Sequence, residues 1–152
     1  YLLKDTHKVY YLKLLERFKR NNNFDPNRVI FLDPLNLNQF INHLGTSSVL
    51  LDPIYFGSGN SFHESMFYGT QTVTLPTKYI KSRIVSAAYK QMEVKNPPIV
   101  KNKDDYVDRA IEIANDENIL DRKKYYQQAA NEKLFDTEDV GEKFNSILKE
   151  LF

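Results

Sequence analysis

The stretch best equipped for chemistry is Leu51-Asp52-Pro53-Ile54-Tyr55-Phe56-Gly57-Ser58-Gly59-Asn60-Ser61-Phe62-His63-Glu64. It follows an apolar run and leads into a helical one. Gly57 and Gly59 allow a ligand to approach the backbone closely. At the start of the helix, exposed N–H groups of Asn60, Ser61 and Phe62 would suit a phosphate, because free donors and the helix dipole act together. The dipole alone contributes about 0.3–1 kcal/mol, so direct N–H bonds would have to supply most of the binding. The loop matches neither GxGxxG nor the P-loop pattern, so neither a dinucleotide fingerprint nor a P-loop is supported. Ser61 and Glu64 also have the spacing of a capping box, in which each closes the other's backbone N–H. At the level of sequence both readings stand.

Two further clusters invite attention. Lys78, Lys81 and Arg83 are placed at the start of a helical segment, where cations oppose the dipole and a bound anion would explain them. The alternative is lysines extended into water, with Arg83 in a structural ion pair. In the segment 35–43, Phe40 or His43 could stack on a flat base, or Phe40 and Ile41 could be core residues. Asp33-Pro34 and Asp52-Pro53 read first as turn formers. His63 and Glu64 are neighbours and so lie on different helix faces, which argues against a dyad. His7 reads as a solvated residue at a helix start.

The composition narrows the options. The chain has 152 residues, 41% hydrophobic and 27% charged, with a net charge of +1. That fits one globular domain over residues 1–152 and not a disordered chain. There is no cysteine, which excludes disulfide scaffolds, cysteine-ligated zinc, iron–sulfur clusters and thiol catalysis. The three histidines form no metal motif, and no metal or cofactor is expected. Residues 1–100 carry 12 Lys/Arg against 7 Asp/Glu, and residues 101–152 carry 9 against 13. The basic residues form no stripe with interleaved aromatics, so nucleic acid is not an expected partner. No apolar run approaches the roughly 20 residues of a membrane span. The opening Tyr1-Leu2-Leu3-Lys4-Asp5 lacks a signal-peptide layout, so the expectation is a cytoplasmic piece of a longer protein. The richness in Asn and Lys suggests an AT-rich bacterial genome.

These candidates need elements to hold them, and the pattern alternates short apolar runs with helical segments. Strands are predicted at residues 1–3, 28–32, 48–51, 72–75 and 97–100, the second and third apolar on both faces as in a covered parallel sheet. Helices are predicted at about 6–20, from Asn36 or Asn38 to about His43, and at about 62–68, 79–92, 102–115 and 117–131. A last helix opens at Thr137. In the first, Val9, Leu12, Leu15 and Phe18 are expected to face inward. Gly45 is expected to break the second helix, and Gly69 to cap the third. The alternation implies an α/β fold: a Rossmann-like, three-layer domain with a mostly parallel sheet and C-terminal helices. Ligands of such folds bind beyond the carboxyl ends of the strands, which directs the search to the loops after Leu32, Leu51 and Leu75.

Taken in order, Arg28-Val29-Ile30-Phe31, Val49-Leu50-Leu51-Asp52, the Gly-rich loop, Phe67-Tyr68-Gly69-Thr70-Gln71-Thr72-Val73-Thr74-Leu75-Pro76, Ser82-Arg83-Ile84-Val85-Ser86 and Leu134-Phe135-Asp136-Thr137 resemble the C-terminal catalytic half of the O-GlcNAc transferase and SPINDLY-like glycosyltransferases. The resemblance implies the C-terminal, nucleotide-sugar-binding half of a GT-B fold. It further implies inverting, metal-independent transfer to protein hydroxyls from a UDP-sugar or GDP-sugar. By position, Glu64 matches the acidic residue that holds the ribose, and Asn60 and Ser61 match hydroxyl residues at the diphosphate. Gly59 stands where animal enzymes carry histidine. Leu35 matches a residue whose backbone reads uracil. Leu37 replaces a lysine, Phe40 a histidine and Gln71 a proline. The implied partners are the sugar donor, the other half of the enzyme, and a protein or glycan acceptor bound through regions outside this chain. Catalytic residues are also expected outside it. The rival expectation is a non-catalytic Rossmann-like interaction or regulatory module.

Overall fold

The computed structural model describes residues 2–3, 8–21, 23–135 and 138–151. The chain divides into two compact units, Tyr1–Phe40 and Ile41–Phe152.

In the first unit, β1 (Leu2–Leu3) pairs in parallel with β2 (Phe31–Leu32), Leu2 opposite Phe31 and Leu3 opposite Leu32. Between them runs α1 (Val9–Lys19). Its partly buried residues are Tyr11, Leu14, Leu15 and Phe18, while Val9 and Leu12 are exposed. The expected inward face is thus rotated, because aromatic contacts set it. The Tyr11 ring meets Phe31 edge-on at 4.7 Å, and Phe18 stacks on Phe24 at 5.2 Å. Strand β2 is shorter than the apolar run 28–32, since Pro26–Arg28 forms a 3₁₀ turn and Ile30 is exposed. Next, α2 (Leu37–Thr46) opens with a reciprocal cap: Gln39 N–H donates to Asn36 Oδ1 and Asn36 N–H to Gln39 Oε1.

The second unit carries the continuation of α2. Gly45 does not break it. A Cβ there would lie 2.8 Å from the Tyr68 ring, so the glycine is a point of close packing inside the helix. Strand β3 (Leu50–Leu51) pairs in parallel with β4 (Thr72–Val73). Beyond β4, Thr74 forms a parallel bridge with Ile99, so the expected fifth strand is a single bridged position. The arrangement is α/β, with small parallel sheets and helices between the strands. After β3 comes α3 (Asn60–Met66), and after β4 a 3₁₀ turn (Ile80–Ser82) and α4 (Ile84–Gln91). Then follow α5 (Lys103–Ala114), α6 (Ile119–Ala129) with a π-turn at Ala130–Leu134, and α7 (Glu138–Leu151). The Asn102 side chain caps α5 by accepting from Asp105 N–H at 2.8 Å, as its position predicts. His7 and the helix opening at Thr137 lie outside the described residues.

The core lies among α3, α4 and α6: Phe62, Met66, Val85, Ala88, Tyr89, Met92, Val94, Tyr126 and Ala130. Phe62 and Tyr89 meet edge to face at 5.1 Å, an arrangement that adds about 0.5–1.5 kcal/mol to burial. The Tyr89 hydroxyl accepts from Thr72 N–H at 2.7 Å and donates to Thr72 O at 3.1 Å, fastening α4 to β4. Burial drives its pKa upward. Gly69 has φ +65, and a Cβ there would sit 1.8 Å from Lys123 O. Only glycine allows the turn after α3 to meet α6 so closely. The Lys123 ammonium donates to Gly45 O at 2.6 Å and Ser47 O at 2.7 Å, satisfying carbonyls at the end of α2. Burial lowers its pKa.

Candidate functional site

The loop from β3 to α3 is built on Asp52. This residue is 2% exposed. Its Oδ1 accepts Ser58 N–H at 2.6 Å, and its Oδ2 accepts the Thr74 hydroxyl at 2.6 Å. Its own N–H donates to Val73 O at 3.0 Å, and its carbonyl accepts the Tyr106 hydroxyl at 2.8 Å. Burial, with the Asp52 charge nearby, holds the Tyr106 phenol above its usual pKa. A buried carboxylate is stable only when hydrogen-bonded, and here both oxygens have a donor. Asp52 is therefore more than the turn former that Asp-Pro suggests. The sequence signal is only an acid directly after an apolar strand; its partners come from the fold.

Gly57 completes the turn. Its N–H donates to Lys81 O at 2.8 Å. A Cβ on Gly57 would lie 3.0 Å from that oxygen and 3.3 Å and 3.4 Å from the Asp52 carboxylate oxygens, whereas one on Gly59 would meet nothing within 4 Å. The two glycines thus differ in kind, since one closes the turn over the acid and the other leaves its outer side open.

Gly59 is the N-cap of α3 and offers no side-chain bond. Phe62 N–H and His63 N–H both donate to Gly59 O, at 3.1 and 3.3 Å. The Ser61–Glu64 capping box is therefore not made. Helix α3 begins at Asn60, so Ser61 is already inside its first turn and cannot serve as its cap. Asn60 N–H and Ser61 N–H donate to no described residue, and the half-buried Glu64 carboxylate accepts from none. The His63 ring nitrogen Nδ1 lies 3.0 Å from Gly59 O, which orients the ring away from any dyad with Glu64. Beside the turn, His63, Pro76, Ile80, Arg83 and Ile84 help to line an open cavity of about 620 Å³.

The three basic residues expected at one site lie at and just before the start of α4. Lys78 and Lys81 precede α4, and Lys78 lies over the Tyr79 ring at 5.2 Å. Lys81 contributes its carbonyl to Gly57, and its side chain is exposed. Arg83 is the N-cap residue of α4, lines the cavity, and makes no ion pair with another described residue. Leu35 and Phe40 are partly buried and belong to the first unit. Gly59, Asn60, Ser61 and Glu64 lie together at the start of α3 in the second. Gln71 is buried. Its carbonyl accepts Leu50 N–H at 2.8 Å, while its side-chain Nε2 is buried with no hydrogen-bond partner among the described residues. Among the described residues no group of three or more His, Cys, Asp or Glu is arranged to hold a metal ion, and no helix is long and apolar enough to cross a membrane.

No family model matches the chain, and no curated protein matches it. Among solved structures, a mutant of the Thermobaculum terrenum O-GlcNAc transferase has a similar fold, with a TM-score of 0.71 and 16% sequence identity. The match covers 83% of this chain and 24% of that one. The present chain thus has an O-GlcNAc transferase-like, glycosyltransferase-type fold and spans about a quarter of the solved chain.

Proposed function

We propose that the chain is the nucleotide-sugar-binding half, C-terminal in a GT-B arrangement with a Rossmann-like three-layer core, of an inverting, metal-independent glycosyltransferase. The observation that carries this reading is the fold likeness over 83% of the chain, combined with a glycine turn at the carboxyl end of a parallel strand. In such sheets that is where ligands bind. The donor is a UDP-sugar or GDP-sugar. Its diphosphate lies against Gly59, Asn60 and Ser61, and Glu64, without a partner among the described residues, takes the ribose hydroxyls. Arg83 stands by as a cation for the anionic donor. The turn's dipoles stabilise charge on the departing diphosphate while an acceptor hydroxyl, on a protein in O-GlcNAc-like transfer, attacks the anomeric carbon. The general base and acceptor site belong to the rest of the enzyme, and the setting is cytoplasmic.

The test is calorimetric titration of UDP and GDP against the chain and against Glu64→Ala. Binding of one nucleotide, weakened about tenfold by the substitution, is the expected result for a lost pair of charge-assisted hydrogen bonds. Equal affinity in both proteins would remove Glu64 from the site. No binding of either nucleotide at millimolar concentration would favour a non-catalytic interaction module.

A further inference from the structure

We infer that Asp52 is the positioning residue of the donor turn, setting the backbone that meets the diphosphate without touching it; this rests on the nucleotide-sugar reading above. Three ties converge on the loop. The carboxylate holds Ser58 N–H at 2.6 Å from within, Lys81 O holds Gly57 N–H at 2.8 Å from the side, and Tyr106 holds the Asp52 carbonyl at 2.8 Å. The backbone at Gly57 passes so near the carboxylate that a Cβ would sit 3.3 Å from Oδ2. Thr74, wholly buried on the neighbouring strand segment, fixes the other carboxylate oxygen, so the latch is tied to the sheet. The loop's N–H groups at 57 and 58 are consumed by this latch, while those at 60 and 61 donate to no described residue. A turn held in this way presents its remaining donors already oriented, so binding need not order them.

The arrangement has a distinctive sign. A negative charge beneath an anion-binding turn repels the anion, so by Coulomb repulsion alone its removal should tighten diphosphate binding. If the carboxylate acts as a latch, its removal should loosen the turn and weaken binding. Asparagine separates the two, because it keeps an oxygen for Ser58 N–H and discards the charge.

The experiment titrates UDP and GDP calorimetrically, well below each protein's unfolding temperature, against the parent chain, and the one that binds against Asp52→Ala, Asp52→Asn and Thr74→Val. The expected result is a loss of about tenfold or more in Asp52→Ala, affinity within about threefold of the parent in Asp52→Asn, and an intermediate loss in Thr74→Val. Equal or tighter binding by folded Asp52→Ala would overturn the inference, as would equal tightening in Ala and Asn. Should Asp52→Ala fail to fold, Thr74→Val carries the test, and parent-like affinity there counts against the latch. Amide exchange at Ser58 and Gly59 is read in parallel. If the parent chain binds neither UDP nor GDP, the nucleotide-sugar reading fails, and with it the donor role. Faster exchange in the Asp52 variants would then still show the latch, and unchanged exchange would remove it as well.

Discussion

Two loops leave the parallel strands of the second unit, and they are held by opposite means. The loop after β3 closes on a buried carboxylate, which takes a backbone N–H from the loop itself. The loop after β4 closes on hydroxyls. The Ser82 hydroxyl donates to Tyr79 O at 2.9 Å, accepts Thr77 N–H at 3.0 Å and lies 2.6 Å from the Thr77 hydroxyl. The two loops meet where Gly57 N–H reaches Lys81 O. In the first, an internal charge holds the chain while the outer donors at Asn60 and Ser61 stay unused. In the second, neutral groups satisfy one another and the cations Lys78 and Lys81 project outward. The glycine loop, with no cation in it, thus keeps backbone donors without a partner among the described residues, while the basic loop contributes to it the Lys81 carbonyl.

That contrast predicts unequal costs. Asp52→Ala strands the Ser58 N–H and the buried Thr74 hydroxyl and should lower stability by about 3 kcal/mol, since each unpaired buried donor costs about 1–3 kcal/mol. Ser82→Ala, in the hydroxyl loop, should cost about 1–2 kcal/mol, because its partners lie nearer solvent. Denaturant unfolding of the two variants measures the difference, and equal losses would erase the distinction between the loops. A smaller effect separates the glycines of the turn. Gly57→Ala should cost about 1–2 kcal/mol through crowding against Lys81 O and Asp52, while Gly59→Ala should stay within about 0.5 kcal/mol, with open space around its methyl group.

The smallest expected effect is a dependence on alkaline pH. The unfolded chain releases its phenolic protons near 10.0, whereas burial keeps those of Tyr89, Tyr106 and Tyr126 in place to higher pH in the folded chain. Stability is therefore complete below pH 10 and falls as pH rises beyond it. Tyr106 is the tyrosine whose hydroxyl ties down the β3 loop, and the hydrogen bonds within the β4 loop involve no titrating side chain. Tyr106→Phe should therefore make the decline above pH 10 less steep, while Ser82→Ala leaves the slope alone. Thermal melts across pH 9–11 measure both slopes.

The order of strands and helices was legible from periodicity, because an apolar run between polar segments has few ways to be buried. The strand cores at Leu50–Leu51 and Thr72–Val73 fall inside the predicted runs, and Asn102 caps α5 where its position requires. Gly45 is expected to break α2 by a local rule, and a contact from a distant residue overrides that rule. The Tyr68 ring demands a glycine inside α2, and of the two readings open for Ser61 and Glu64 the capping box is not formed, because α3 starts at Asn60 with Gly59, two positions before Ser61, as its N-cap. A true capping box forms instead at Asn36 and Gln39, where nothing distant competes.

By itself the sequence determined an α/β chain with a glycine turn after a buried strand, because propensity, alternation and glycine's freedom at tight turns all act within a few residues. It also carried the resemblance that the fold comparison supports at the level of fold. Tertiary structure alone decided what holds the turn. Asp52 meets Thr74 across 22 positions of chain and Tyr106 across 54, distances at which no local pattern reveals a hydrogen bond. A buried acid must find its donors wherever the fold brings them, and that search fixed the role of Asp52.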